Sequence, residues 1–435
     1  MGVVDRLLGS ETTEHKLLGN IFWLFSLQGL NYLIPLAVLP FLVRVLGIER
    51  YGLLAFAQSL AQYFVIFTDY GFNLSATKQI ARARLDRERV SSLFWCVIIL
   101  KLALMFVSAI VLAILLVAVP RFHSEISLYA VAFMAVIGTV LFPIWLFQGM
   151  EQMKYISVVS GSAKLLSAVA LFIFVRDSSD YVLALAILSG GMLFAGVIGL
   201  VVAITKFGII VRMPTKAEIA DTLRDGWHLF VSTAATTFYT NSNVFLVGMF
   251  AGNVQAGYFS AAEKIVRGMQ GLLGPITQAI YPHVNSLAGS SRELALAFLR
   301  KSFIWIGVFS FIPSFLLFLF AQPVSRLILG STAVDVTVTF RWMAMLPFVI
   351  AISNVLGIQT MIPFGFERQL SRIYLFAGLG SLVLSISLIR HYGALGAAIS
   401  VLTVELVIVF CMWESLRTRG VNVLRAAAIR APSAG

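Results

Sequence analysis

Eight ionisable side chains interrupt runs of this sequence that are otherwise apolar. Five are cations, Lys101, Lys164, Lys264, Arg267 and Arg341, and three are anions, Asp69, Glu263 and Glu405. A charge at the centre of a membrane-length helix costs about 2.5–3.5 kcal/mol on the insertion scale, so such groups face water, a partner or a ligand. Cations withdrawn from bulk water suit an anionic ligand, phosphate above all. At about 1.5 Å per residue, Lys101 lies roughly 12 Å inside the end of its run, too deep for a loop residue. Lys264 and Arg267 are three apart and share a helical face. Glu263 and Arg267 are four apart, and mutual neutralisation is the competing reading. Lys164 and Arg341 lie nearer the ends of their runs, where a long side chain can snorkel to the interface. Asp69 is either an ion-coupling carboxylate, for a proton or sodium ion, or a brace for Lys78, Lys101 or the following loop. Glu405, nearer mid-run and without a cation close in sequence, is the better proton carrier.

Other chemistry finds no foothold. The sequence has no Gly-Lys-Ser/Thr phosphate loop and no paired metal-ligand spacing. His15, His123, His228, His283 and His391 are scattered, and Cys96 and Cys411 sit in apolar runs as small buried residues. The reading is a non-enzyme with no cofactor, no metal and no nucleotide site.

The elements that hold these charges are membrane helices. Of 435 residues 59% are hydrophobic and only 12% charged, against about 25% charged in soluble domains, and the mean hydropathy is +0.93. The excess of 12 positive charges is the mark of cation-rich cytoplasmic loops rather than of nucleic-acid binding. The first run ends in Arg44 without a small-residue cleavage site, so it is expected to stay as a helix. Twelve stretches reach the length of about 20 residues that spans hydrocarbon. They lie near 17–43, 52–76, 92–119, 126–149, 156–175, 181–205, 227–251, 256–283, 302–320, 335–361, 371–389 and 394–416. Pro313 and Pro347 predict kinks in the ninth and tenth. With the N-terminus inside, 21 cations fall on the cytoplasmic side and six outside, which puts both termini in the cytoplasm. Most of the seven tryptophans fall near span ends, as interface anchors do. The Gly191-x-x-x-Ala195-x-x-x-Gly199 and Gly248-x-x-x-Gly252 patterns point to close helix packing within the chain.

The polar break at 206–226 divides the chain into six-helix bundles at 1–205 and 227–420, with a cytoplasmic tail at 421–435. A faint repeat supports the halving: Phe41-Leu42-Val43 recurs as Phe245-Leu246-Val247, and Gly47 and Gly52 recur as Gly252 and Gly257. The fold expected is an all-α polytopic membrane protein of about twelve transmembrane helices, in two pseudo-symmetric bundles around a central cavity. The break would act as a connector that tolerates motion of the halves.

A resemblance sharpens this. The runs PFLVRVLG at 40–47, Tyr51-Gly52, Asp69-Tyr70-Gly71-Phe72-Asn73, Ser75-Ala76-Thr77 and FPIWLFQGMEQMKY at 142–155 resemble Wzx-type O-antigen and polysaccharide flippases. Their superfamily also holds multidrug/cation exporters and lipid II flippases. The resemblance implies a polyprenyl-pyrophosphate-linked glycan as substrate, moved from the cytoplasmic to the periplasmic leaflet of a bacterial inner membrane by alternating access. It implies the company of membrane lipids and polysaccharide polymerase machinery. Lys101, Lys264, Arg267 and Arg341 would then hold pyrophosphate, and Asn31, with Gln28, Tyr32, Tyr239, Asn241, Asn243 and Gln278, would hold sugar or make interhelical hydrogen bonds. The rivals are a cation exporter, which would favour acids in the cavity, and a membrane polymerase or ligase. The longest outer loop, about 14 residues at 321–334, leaves little room for a catalytic domain.

Overall fold

Two single glycines turn long apolar runs into pairs of membrane arms. The first helix, α1 (Val4–Asp69), is bent at Gly47, with φ 76° and ψ 160°. The last, α15 (Glu367–Thr418), is bent at Gly393, with φ 57° and ψ −131°. Both angles lie where only glycine rests without strain, so each corner is made by a single residue. Between them run α2 (Phe72–Arg82), α3 (Arg87–Ala118), α4 (Pro120–His123), α5 (Ile126–Leu141), α6 (Ile144–Gly149), α7 (Met153–Phe174), α8 (Tyr181–Phe207), α9 (Lys216–Ala251), α10 (Asn253–Ser290), α11 (Arg292–Leu319), α12 (Ala321–Leu329), α13 (Ala333–Ala344) and α14 (Leu346–Leu356).

This computed structural model describes residues 4–330 and 333–421, with side chains from residue 28 onward except at 228, 232, 235–240, 272–279, 282, 329 and 333–335. The predicted tail beyond Val421 and the side chains of Trp23, Tyr239 and Gln278 lie outside the described residues. Among those described there is no strand, and eight helical stretches are long and apolar enough to cross a membrane. Two of the eight, Gln28–Arg82 and Glu367–Thr418, are the bent double runs. The seventh and eighth predicted spans fall on α9 and α10, where the described residues contain the shorter apolar stretch Asn241–Ala251. The protein is an all-α, multi-pass membrane protein.

Prolines break more than they bend. Pro143 breaks the helix inside the fourth span, Ile126–Gly149: the preceding Phe142 takes φ −85° and ψ 106°, the extended conformation that a following proline imposes, and α6 restarts beyond it. Pro347 sits in the first turn of α14, where its missing N–H costs nothing, so the predicted kink is instead a break between α13 and α14. Pro313 stays inside α11. A single π turn, Gly357–Met361, closes this span.

The chain forms two compact units, Met1–Gly257 and Tyr258–Gly435. In the first, α5 packs along α8, α7 along α8, and α1 against α5, α7 and α9. The α5–α8 contact is backbone on backbone: a Cβ on Gly196 would stand 2.3 Å from the Gly138 carbonyl oxygen. Of the predicted small-residue pattern, Gly191 faces Ser167 and Gly199 faces Phe142, packing within the chain. In the second unit α11 packs on α13 and α14, and α15 on both, around Ile306, Ala351 and Val355. Wide apolar surfaces stay exposed, such as Phe106, Ile114 and Val117 on α3 and Phe376 and Val383 on α15. Hydrocarbon is the solvent that suits them, because helices satisfy their own backbone polar groups.

Candidate functional site

The first unit holds two of the lysines, and it treats them differently. At the foot of α1 the chain reverses through Tyr70 (φ 43°) and Gly71 (φ 73°). The reversal leaves the Asp69 carboxylate at the helix end, facing α3. Lys101 Nζ donates to Asp69 Oδ1 at 2.7 Å and to the Thr139 carbonyl at 3.2 Å. Asn73, one turn into the next helix, donates to the other oxygen of Asp69 at 3.0 Å. The Lys101 side chain is 1% exposed. It is a neutralised, fully buried group, and Asp69 is engaged by two donors; of the two readings of Asp69, the geometry here is that of a brace. Nearby, the Thr77 hydroxyl lies within reach of the Asn73 carbonyl, the Trp145 carbonyl and Gln148, tying α2 to α6. Trp145 is fully buried in this core and is not an interface anchor.

Lys164 reaches the amide oxygen of Asn31, which joins α7 to the first arm of α1. In the structure α7 has 22 residues, and Lys164 stands at its middle, roughly 15 Å from either end. That corrects the expectation that it lies nearer a helix end, where snorkelling was one of the two readings. Gln28 and Tyr32 flank Asn31 on α1, each half-buried.

In the second unit, Arg267 and Glu263 form an ion pair at 2.8 Å along α10, the neutralising geometry foreseen from their spacing. Lys264 is half-buried on the same helix and engaged in contacts of its own. Arg341 is exposed in the last turn of α13, where a cation meets the negative end of the helix dipole. Glu405 is half-buried on α15, and its charge is felt by Tyr374, whose hydroxyl bonds to Ser353. The structure thus brings together Asp69 with Lys101 and Arg267 with Glu263; Asn31 meets a lysine absent from the predicted substrate-binding set.

Both ends of the first unit are latched by polar contacts. At one end Glu125 binds Arg50 at 3.3 Å and accepts from the Tyr181 hydroxyl at 2.7 Å. There Arg121 donates to the Met249 carbonyl at 3.0 Å and to Asn253 at 3.2 Å; burial lowers its pKa. At the other end the predicted connector is fastened rather than loose. Arg87 donates to the Gly208 carbonyl at 2.6 Å, the Ile210 N–H donates to Ser91 at 3.0 Å, and the Trp95 indole donates to the Ile210 carbonyl at 3.0 Å. Thr215 and Glu218 form a reciprocal cap on α9, and Ser92 donates to Glu218 at 2.7 Å. The backbone N–H of Thr215, then these hydroxyls, pull the Glu218 carboxyl down to about 2. Lys78 and Arg82 lie on α2. No cluster of His, Cys, Asp and Glu fit for a metal occurs among the described residues.

Comparison with known proteins agrees with this architecture. Residues 17–287 match the family described as "Polysaccharide biosynthesis protein". A protein of Escherichia coli (strain K12) named "Putative O-antigen transporter" is 35% identical over 406 residues, 93% of this chain and 98% of that one. Among solved structures, an inward-facing multidrug resistance MATE family transporter of the MOP superfamily superposes with a TM-score of 0.66 at 15% identity, over 89% of this chain and 94% of that one. Lipid II flippase MurJ, in an inward closed conformation, superposes with a TM-score of 0.60 at 13% identity, over 88% and 87% of the two chains. On the sequence match and the shared helical fold together, this chain belongs to the polysaccharide biosynthesis protein family.

Proposed function

We propose that this chain is a flippase that carries a polyprenyl-pyrophosphate-linked oligosaccharide, an O-antigen or other surface repeat unit, from the cytoplasmic to the periplasmic leaflet of the bacterial inner membrane. The observation that carries the reading is the 35% identity, across nearly the whole of both chains, to a relative named as an O-antigen transporter. Chemistry supports it. Cations outnumber anions among the intramembrane charges five to three, a balance suited to pyrophosphate and unsuited to a cationic drug. Alternating access between six-helix halves at 1–205 and 227–420, with both termini in the cytoplasm, is the mechanism we attach to it. Lys264, Arg267 and Arg341 are its headgroup candidates in the second unit. Glu405, half-buried on α15, is preferred over Asp69, which Lys101 and Asn73 engage, as the coupling group for a proton or sodium ion. Polymerase machinery would receive the product outside.

The test is lipid extraction from cells lacking the chain, with the carrier-linked glycan assigned to a leaflet by its accessibility to an added glycosidase. Complete repeat units accumulating in the cytoplasmic leaflet are expected. Outer-leaflet repeats left unpolymerised would point to a polymerase, and normal polymer with altered dye efflux to an exporter.

A further inference from the structure

Lys164 occupies a place where a cation needs an explanation. On α7, Leu165, Leu166, Val169, Phe172 and Ile173 form the exposed apolar stripe. At 100° per residue Lys164 falls on the opposite, packed face, with Ser157, Ser160 and Leu171. Its stem cannot reach an interface roughly 15 Å away in either direction. One turn earlier α7 presses on α1 so closely that a Cβ on Gly161 would stand 2.9 Å from Leu30 Cδ1, and this approach sets Lys164 against Asn31. The partner is a neutral amide. Among the described residues no carboxylate lies within ion-pair distance of Lys164, whereas Lys101 in the same unit has Asp69 at 2.7 Å.

A half-buried charge with a neutral partner keeps its attraction for a counter-ion, and that attraction is stronger there than in bulk water. With its oxygen engaged by the ammonium, the Asn31 amide has its two N–H donors left. Ammonium and amide together then offer donors only, which matches an acceptor-only anion. We infer that Lys164 and Asn31 form an anion site in the first unit that takes a phosphate group of a membrane-borne ligand. Its assignment to the glycan carrier rests on the flippase reading; the chemistry of the site does not.

The experiment uses the full chain purified in detergent and reads thermal stabilisation by two probes, inorganic pyrophosphate and farnesyl pyrophosphate. Lys164→Gln keeps a donor for Asn31 but loses the charge. Lys164→Arg keeps the charge. Asn31→Asp supplies the missing carboxylate and neutralises the lysine without removing it. Expected is saturable stabilisation of the wild type and of Lys164→Arg, with apparent affinity at least tenfold weaker in Lys164→Gln and Asn31→Asp. A response to farnesyl pyrophosphate alone assigns the site to a lipid-borne phosphate. An equal response to inorganic pyrophosphate, Lys164→Gln behaving as wild type, or no response in wild type overturns the inference. The flippase reading is judged separately, by leaflet assignment of the glycan in cells lacking the chain.

Discussion

Lys101 and Lys164 stand on long helices of one unit, the first fully buried and the second half-buried. One is given a carboxylate and a backbone carbonyl; the other is given an amide oxygen. In the first case the charge is spent inside the fold and holds α1, α3 and α5 together at the chain reversal after Asp69. In the second it is retained. The lesson is that an intramembrane lysine signals transport only when its partner leaves the charge uncompensated, and depth in the sequence does not distinguish the two.

The largest effect expected from this contrast is at the brace. Asp69→Asn leaves the Lys101 ammonium buried beside a carbonyl, and breaking a buried pair from one side costs about 3–5 kcal/mol. Melting in detergent and the amount of protein in the membrane should both fall sharply. The double variant Asp69→Asn with Lys101→Met should recover most of the loss, because removing both charges removes the uncompensated one. A single variant as stable as wild type would end the claim that this pair is structural.

At Lys164 the sign reverses. Lys164→Met removes a charge that nothing in the described structure neutralises, so melting should be unchanged or higher, and Asn31→Asp should raise it by completing an ion pair. A drop in both would mean that Lys164 is as structural as Lys101 and would erase the contrast.

Much of the fold was legible. Hydropathy located the eight stretches that are long and apolar enough to cross a membrane among the described residues, because each is a run that water would reject, and the Glu263–Arg267 spacing gave its ion pair directly. Asp69 and Lys101 were each singled out, and their meeting was one of the alternatives, but 32 residues separate them and only packing decides. Lys164 was placed nearer a helix end than it is, although the run at 156–175 already put it close to the middle; the helix Met153–Phe174 sets it there. Asn31 drew notice as a sugar contact, yet its lysine partner lies 133 residues away. The break at Pro143 was readable from Phe142-Pro143 but was masked by apolar residues on both sides. The fastening of 206–226 was not readable, because it depends on Ser91, Ser92 and Trp95 facing that segment from another helix.

That fastening supplies a smaller effect with a pH signature. Glu218 has a folded pKa of about 2 against an ordinary 4.5. A depressed carboxylate contributes stability above the unfolded value and loses it as pH falls through the folded one. Hydrogen exchange at the start of α9 should therefore be pH-insensitive in protection above about 4.5 and lose protection as the pH drops toward 2. Thr215→Ala, which removes the capping hydroxyl, should cost about 1 kcal/mol. Unchanged protection in that variant would show that the Ser92 contact alone fixes the segment.

The smallest effect is expected at the Glu263–Arg267 pair. Arg267 and Glu263 are as close as Lys101 and Asp69, at 2.8 Å against 2.7 Å, but the Arg267 side chain is 44% exposed. An exposed pair one helical turn apart gains little from its partner, about 0.3–0.5 kcal/mol. Glu263→Gln should shift melting barely beyond error while leaving the arginine charge available. If the headgroup reading of Arg267 holds, the same variant should keep or strengthen stabilisation by farnesyl pyrophosphate, since it removes the competing carboxylate. Loss of stability on the scale of Asp69→Asn would instead class this pair with the brace and withdraw Arg267 from the residues that meet the ligand.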